Sequence, residues 1–245
     1  MSERLWYLKR CELFERLTSQ QLAALESHCS MRKFPKRSLV YSPRDPTEGV
    51  FLMAAGRVKI CTLTDDGKQA ILAFLEPGEL FGELAVLGPD VHEDYAEACE
   101  DSLVIRIPVQ VMQRMIDEHP EFGTGITKLI GLRRRRLERR LRSLLFRSNR
   151  DRLILALLDL AEQYGYPTAS GIQLGVKLSH QDLANMIGST RESVTIALGE
   201  LQAERYLRVG RRKIVLVNLE RLARTVNAAV PIPGSRYATA AVENR

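Results

Sequence analysis

The sequence predicts an α+β chain in three parts: an N-terminal β-roll of jelly-roll type, a long helix, and a C-terminal winged helix-turn-helix. Three observations predict it. Short strand-like segments separated by Gly, Pro and Asp fill 31–108. A helical run with leucines at seven-residue spacing follows, over about 121–146. Further on, two short amphipathic helices meet at a glycine and lead into a basic hairpin. The expected boundaries are 1–108 for the β-roll with its N-terminal helices, 109–147 for a short helix and the long one, 148–225 for the winged unit, and 226–245 for a flexible tail.

The 245 residues carry a net charge of +6, concentrated in a few basic runs rather than spread evenly. No apolar run of about 18 residues and no signal peptide stand out, so a cytoplasmic protein without a membrane partner is expected. Cys11, Cys29, Cys61 and Cys99 are scattered without a CxxC pair and read as free thiols. The histidines His28, His92, His119 and His180 lack metal-ligand spacing, and neither a phosphate loop nor a nucleophile elbow is present. Enzyme chemistry and a metal are therefore not expected.

At the N-terminus, Leu13, Phe14 and Leu17 precede Thr18, an N-cap for a helix carrying Leu22 and Leu25. Strands are expected at 38–42, 49–55, 57–63, 69–75 and 102–107. Asp65-Asp66-Gly67 is a hairpin signal, and Gly56, Gly67 and Gly78 recur at the turn spacing of a small barrel or jelly roll. Pro108 opens a short helix ending near His119-Pro120. In the long helix Ile130, Leu137, Leu141 and Leu144 share one seam, the pattern of a two-stranded coiled coil, and predict a homodimer. Arg133 to Arg136, Arg139, Arg140 and Arg142 crowd the same helix and read as a solvated face with stems over apolar surface. Residues 147–152 read as a polar hinge before an apolar helix from Leu153 to Tyr164.

The stretch 179–217 is the most specific. Ser179 is an N-cap, with Asp182 placed to complete a capping box. Leu183, Ala184 and Ile187 form one face, Gly188 breaks the helix, and Ser189 or Thr190 caps a second helix with Val194, Leu198 and Leu201 inward. Arg191, Glu192 and Thr195 lie on its outer face, where Arg can read guanine and Glu cytosine. Arg211, Arg212 and Lys213 follow as a basic two-stranded wing suited to phosphate.

With its Thr190-Arg191-Glu192-Ser193 run, this stretch is similar to the DNA-binding domain of the cyclic-AMP receptor/FNR family of bacterial transcription regulators. The resemblance implies a homodimer on a palindromic operator in double-stranded DNA, with RNA polymerase as a further partner. It places Arg191, Glu192 and Thr195 at bases, and Ser179, Gln181, Thr190, Ser193, Arg211, Arg212 and Lys213 at phosphates. Glu76 to Leu84 resembles the family's phosphate-binding cassette, in which Gly82 and Glu83 would hold a nucleotide's phosphate and ribose, and Leu137 and Glu138 stand at the base-contacting positions of the long helix. The arginine that neutralises the phosphate in the family has no counterpart, because no Lys or Arg lies between Lys68 and Arg106. A phosphate would instead meet Glu93 and Asp94. A retained scaffold with a degenerate pocket, no cyclic AMP and no cofactor is expected. Two alternatives stay open: gating by another small anionic effector near Arg133 to Arg136, and a nucleotide-sensor module acting on a protein partner.

Overall fold

The computed structural model describes residues 2–234 apart from 16, 65, 89, 90 and 212. The chain divides into two units, Met1–Leu137 and Glu138–Arg245.

The first unit opens with α1 (Glu3–Lys9), a 3₁₀ turn at Glu12–Phe14 and α2 (Ser19–His28). Thr18 caps α2 in a full capping box, its own N–H donating to Gln21 Oε1 at 2.8 Å. The strands are β1 (Ser30–Phe34), β2 (Leu39–Tyr41), β3 (Gly49–Ala55), β4 (Val58–Leu63), β5 (Gln69–Leu75), β6 (Leu80–Phe81), β7 (Tyr95–Ala98) and β8 (Ser102–Pro108). They form two four-stranded antiparallel sheets, ordered β1-β8-β3-β6 and β2-β7-β4-β5. The first strand, β6 and β7 were not expected from the sequence. Asp65 of the expected hairpin lies outside the described residues, while Gly67 N–H donates to Thr64 O at 2.9 Å across that turn.

The strand β3 is buried on both faces, and its period of two explains the layering. Phe51 and Met53 point between the sheets with Tyr41, Val58, Ile60, Leu75, Phe81 and Val104. Val50, Leu52 and Ala54 point the other way, into a second core with Leu8, Phe14, Leu22 and Leu25. Each of the Val, Leu, Ile, Phe and Met side chains among them contributes roughly 1.5–3 kcal/mol on burial. Two more helices follow, α3 (Val109–Glu118) and α4 (Pro120–Phe146). Phe122 and Ile126 of α4 enter the second core, where Phe122 stacks on Phe14 at 5.4 Å. Cys11, Cys29 and Cys61 are buried free thiols, and burial pushes Cys11 and Cys29 up to about 12.

In the second unit α5 (Asn149–Tyr164) starts four residues before the expected Leu153, because the Ser148 hydroxyl caps it by accepting from Asp151 N–H at 3.1 Å. The expected hinge is therefore mostly helix. A hairpin of β9 (Gly165–Thr168) and β10 (Gly171–Leu174) follows, then α6 (His180–Ile187), α7 (Arg191–Ala203), β11 (Leu207–Gly210), β12 (Lys213–Leu216) and α8 (Leu219–Thr225). The wing is thus not an isolated two-stranded ribbon but the edge of a four-stranded sheet ordered β11-β12-β10-β9. Leu153, Leu157, Leu160 and Ala161 of α5 are buried, and α5 packs against α6, α7 and α8. Val226 is buried and Gly234 N–H donates to Ala161 O at 3.4 Å, so these two residues are held by this unit and do not belong to the tail expected over 226–245. Residues 235–245 lie outside the described residues. Among the described residues no helix is long and apolar enough to cross a membrane.

Candidate nucleic-acid interface and cassette

Local rules fix the helix-turn-helix. Ser179 Oγ accepts from Asp182 N–H at 3.1 Å, and Asp182 Oδ2 accepts from Ser179 N–H at 2.9 Å. Gly188 closes α6 at φ 62°, ψ 48°, a left-handed conformation that glycine adopts without the strain a Cβ brings. Thr190, not Ser189, caps α7, accepting from Ser193 N–H at 3.2 Å. Val194, Ala197, Leu198 and Leu201 turn inward, and the fully buried Ala184 lets the helices approach. Arg150 anchors the far end of α7 through Glu200 at 3.2 Å and Glu204 at 2.7 Å, and Arg152 Nη1 donates to Ile187 O at 3.1 Å. These contacts leave Arg191 and Glu192 exposed on the first turn of a helix held at both ends.

The other expected contact residues divide by what their polar atoms already do. The hydroxyl of the exposed Thr195 bridges Arg191 O and His180 Nδ1, each at 2.8 Å. Ser179, Thr190 and Ser193 are engaged in capping, and Gln181 Nε2 donates to Asn185 Oδ1 at 2.8 Å. Arg211 and Lys213 are exposed on the wing, and Arg212 lies outside the described residues. Sequence reasoning missed two members. Arg208, exposed on β11, adds a cation to the wing, and the alternation of that strand would have shown it. His180 locks Thr195 from fifteen positions away.

The cassette is built differently. Gly78 N–H donates to Met53 O at 2.8 Å and Glu79 accepts from Glu76 N–H at 2.8 Å, which fixes the turn before β6. Gly82, left-handed at φ 68°, starts a 3₁₀ turn over Glu83–Leu87. Glu83 is buried, and it ion-pairs with Arg133 of α4. Arg133 also donates to Leu80 O. It therefore leaves the solvated arginine face to which the sequence assigned it. Tyr41 and His92 stack 3.8 Å apart, both buried, and the Tyr41 hydroxyl is hydrogen-bonded to Asp94. Burial raises the Asp94 carboxyl above its usual range; Tyr41 and His92 oppose the rise, and the Glu83 charge adds to it. Burial likewise lowers His92, against the pull of the Asp94 and Asp45 charges. Glu93 is exposed, so Asp94 alone of the expected acidic pair turns towards this cluster. Leu137 is exposed at the end of the first unit, and Glu138 opens the second. Among the described residues no group of acids, histidines and thiols could hold a metal.

Along the predicted seam, Ile130 packs partly on the core of its own unit, and a Cβ on Gly188 would lie 3.1 Å from Leu144. Leu137, Leu141 and Leu144 are the seam members left exposed, at 46%, 57% and 38%.

Comparison with known proteins gives concordant matches for both units. Residues 31–119 match the cyclic nucleotide-binding domain family, and residues 151–225 the Crp-like helix-turn-helix domain family. The chain is 30% identical over 190 residues to the global nitrogen regulator of Synechococcus elongatus, covering 77% of this chain and 86% of that one. It is 24% identical over 217 residues to the CRP-like cAMP-activated global transcriptional regulator of Mycobacterium tuberculosis, covering 89% and 97%. Among solved structures, FixK2 from Bradyrhizobium japonicum superposes with a TM-score of 0.72 at 26% identity, over 82% of this chain and 98% of that one. Domain order, fold and the capped helix-turn-helix agree on one assignment: the chain belongs to the CRP/FNR family of DNA-binding transcription regulators.

Proposed function

We propose that this regulator binds a two-fold symmetric operator as a homodimer, reads bases through Arg191 and Glu192, and reaches its DNA-binding form without cyclic AMP. The observation that carries the last point is the buried Glu83–Arg133 pair. One oxygen of the carboxylate that a nucleotide would need is already engaged from within the chain, and the remaining acid of the cluster, Asp94, opposes a phosphate. A ligand without differential affinity for two states cannot shift them. Exposed Leu137 and Leu141 on α4 support pairing through a second copy, which would set two recognition helices about one DNA turn (~34 Å) apart. The arginine engaged by Glu83 also weakens the alternative of an anionic effector near Arg133.

Footprinting of nucleotide-free protein on genomic fragments tests the proposal. Protection of two half-sites with two-fold symmetry is expected, without any added small molecule. Protection only after a nucleotide is supplied would refute the nucleotide-free form, and protection of single half-sites would refute the dimer.

A further inference from the structure

We propose that a second cleft in the β-roll, outside the cassette, is a binding site for a small organic carboxylate with an apolar, preferably aromatic, body. The cleft has a volume of about 210 Å³, room for roughly seven waters at ~30 Å³ each or for one ring bearing a carboxylate. Phe34, Val40, Phe51 and Val104 form its apolar walls, and the stacked Tyr41 and His92 rings close one side. Phe51 continues the aromatic surface, 5.6 Å from Tyr41. Such walls favour a flat apolar ligand over a hydrated ion.

The polar groups of the cleft select its charge. Arg32, Arg106, Asp45 and Glu48 all line it. Asp45 is engaged in its own loop, its Oδ2 accepting from Ser42 N–H at 2.7 Å. Arg106 sits beside Phe51 across the β3–β8 pairing, and its stem passes so close to Gly49 that a Cβ there would lie 2.9 Å from Arg106 Cγ. Yet its guanidinium is under-satisfied: Nη1 donates to Glu48 at 2.7 Å, while Nε is buried without an acceptor. An orphaned donor calls for an acceptor, and a carboxylate can take two guanidinium donors at once. The Glu48 side chain is 66% exposed and can swing into water, which makes it a weak competitor for Arg106. None of Glu83, Asp94 or Arg133 lines this cleft. It touches the cassette through Tyr41, whose ring faces the ligand space and whose hydroxyl meets Asp94.

Calorimetric titration of the full chain with benzoate, and with benzamide as its neutral isostere, tests the site. Saturable benzoate binding at one per chain is expected, with benzamide weaker by about tenfold or more. Arg106→Gln should lower benzoate affinity by a similar factor and leave benzamide unchanged, and Val40→Phe should exclude both by filling the cleft. If Arg106→Gln does not fold, the exposed Arg32→Gln carries the same comparison with a smaller loss. Absence of benzoate binding, equal affinity for the two compounds, or binding that survives both the arginine and the Val40→Phe substitutions would overturn the proposal. Operator binding by the same preparation without benzoate reports on the DNA-binding reading separately.

Discussion

The two halves of this regulator treat similar polar residues in opposite ways. On α7 the polar groups that cap the helix are satisfied locally, so Arg191 and Glu192 stay exposed for a partner. In the cassette the Glu83 carboxylate is buried and paired with the chain's own Arg133. On the proposed reading, a motif by itself does not identify a working site. What matters is whether its hydrogen-bonding capacity is left for a ligand or used up inside the fold.

The largest expected effect sharpens the DNA-binding side. Leu137→Asp with Leu141→Asp should give a monomer in sedimentation, and operator affinity should fall by about a thousandfold or more towards the non-specific level. A double variant that stays dimeric would place the interface elsewhere. Next comes the cassette. Arg133→Ala leaves a carboxylate buried without its cation and should cost about 3 kcal/mol in urea unfolding. Replacing both Arg133 and Glu83 with leucine should recover most of that loss. A cost below about 1 kcal/mol for Arg133→Ala would mean that the pair behaves as an exposed one.

Much of the DNA-binding half was legible because its signals are local. Ser179 with Asp182, Gly188, and the Val194-Leu198-Leu201 stripe all lie within a few turns of one another. The cassette sequence was legible too, but its pairing was not. Arg133 stands 50 residues from Glu83, among near-identical neighbours in the arginine run, and nothing in the sequence says which of them faces the carboxylate. Helix α5 was shortened in the reading because Arg147 to Arg152 looked like a polar hinge, while the decisive signal was the cap Ser148. The strand at Tyr95–Ala98 was missed because a two-alanine YAEA segment carries little β-propensity, and its strand state comes from pairing with β2 and β4.

Smaller effects test the comparison residue by residue. Arg191→Ala and Glu192→Ala should each lose about 1–3 kcal/mol of base discrimination in competition binding, whereas Lys213→Ala should weaken all sequences alike and flatten the salt slope by about 0.9. Unchanged preference in the first two would remove them from base reading. Thr190→Ala should cost about 1 kcal/mol of stability through the lost cap. Asp94 provides a pH signature. Its folded carboxyl lies above the unfolded value, so the folded state holds the proton longer and its stability falls as pH rises from the unfolded pKa through the folded one. Asp94→Asn should flatten that decline in unfolding curves taken across the acid range; an unaltered pH profile would mean that Asp94 is not the group responsible.

The central claim, a working DNA reader joined to a self-satisfied cassette, is tested most directly by operator affinity of nucleotide-free protein with and without saturating cyclic AMP. The account predicts specific binding in both conditions and constants that agree within about a factor of two, since no differential binding energy exists to couple the sites. A gain of about tenfold or more on adding cyclic AMP, which is ~1.4 kcal/mol of coupling, would contradict it.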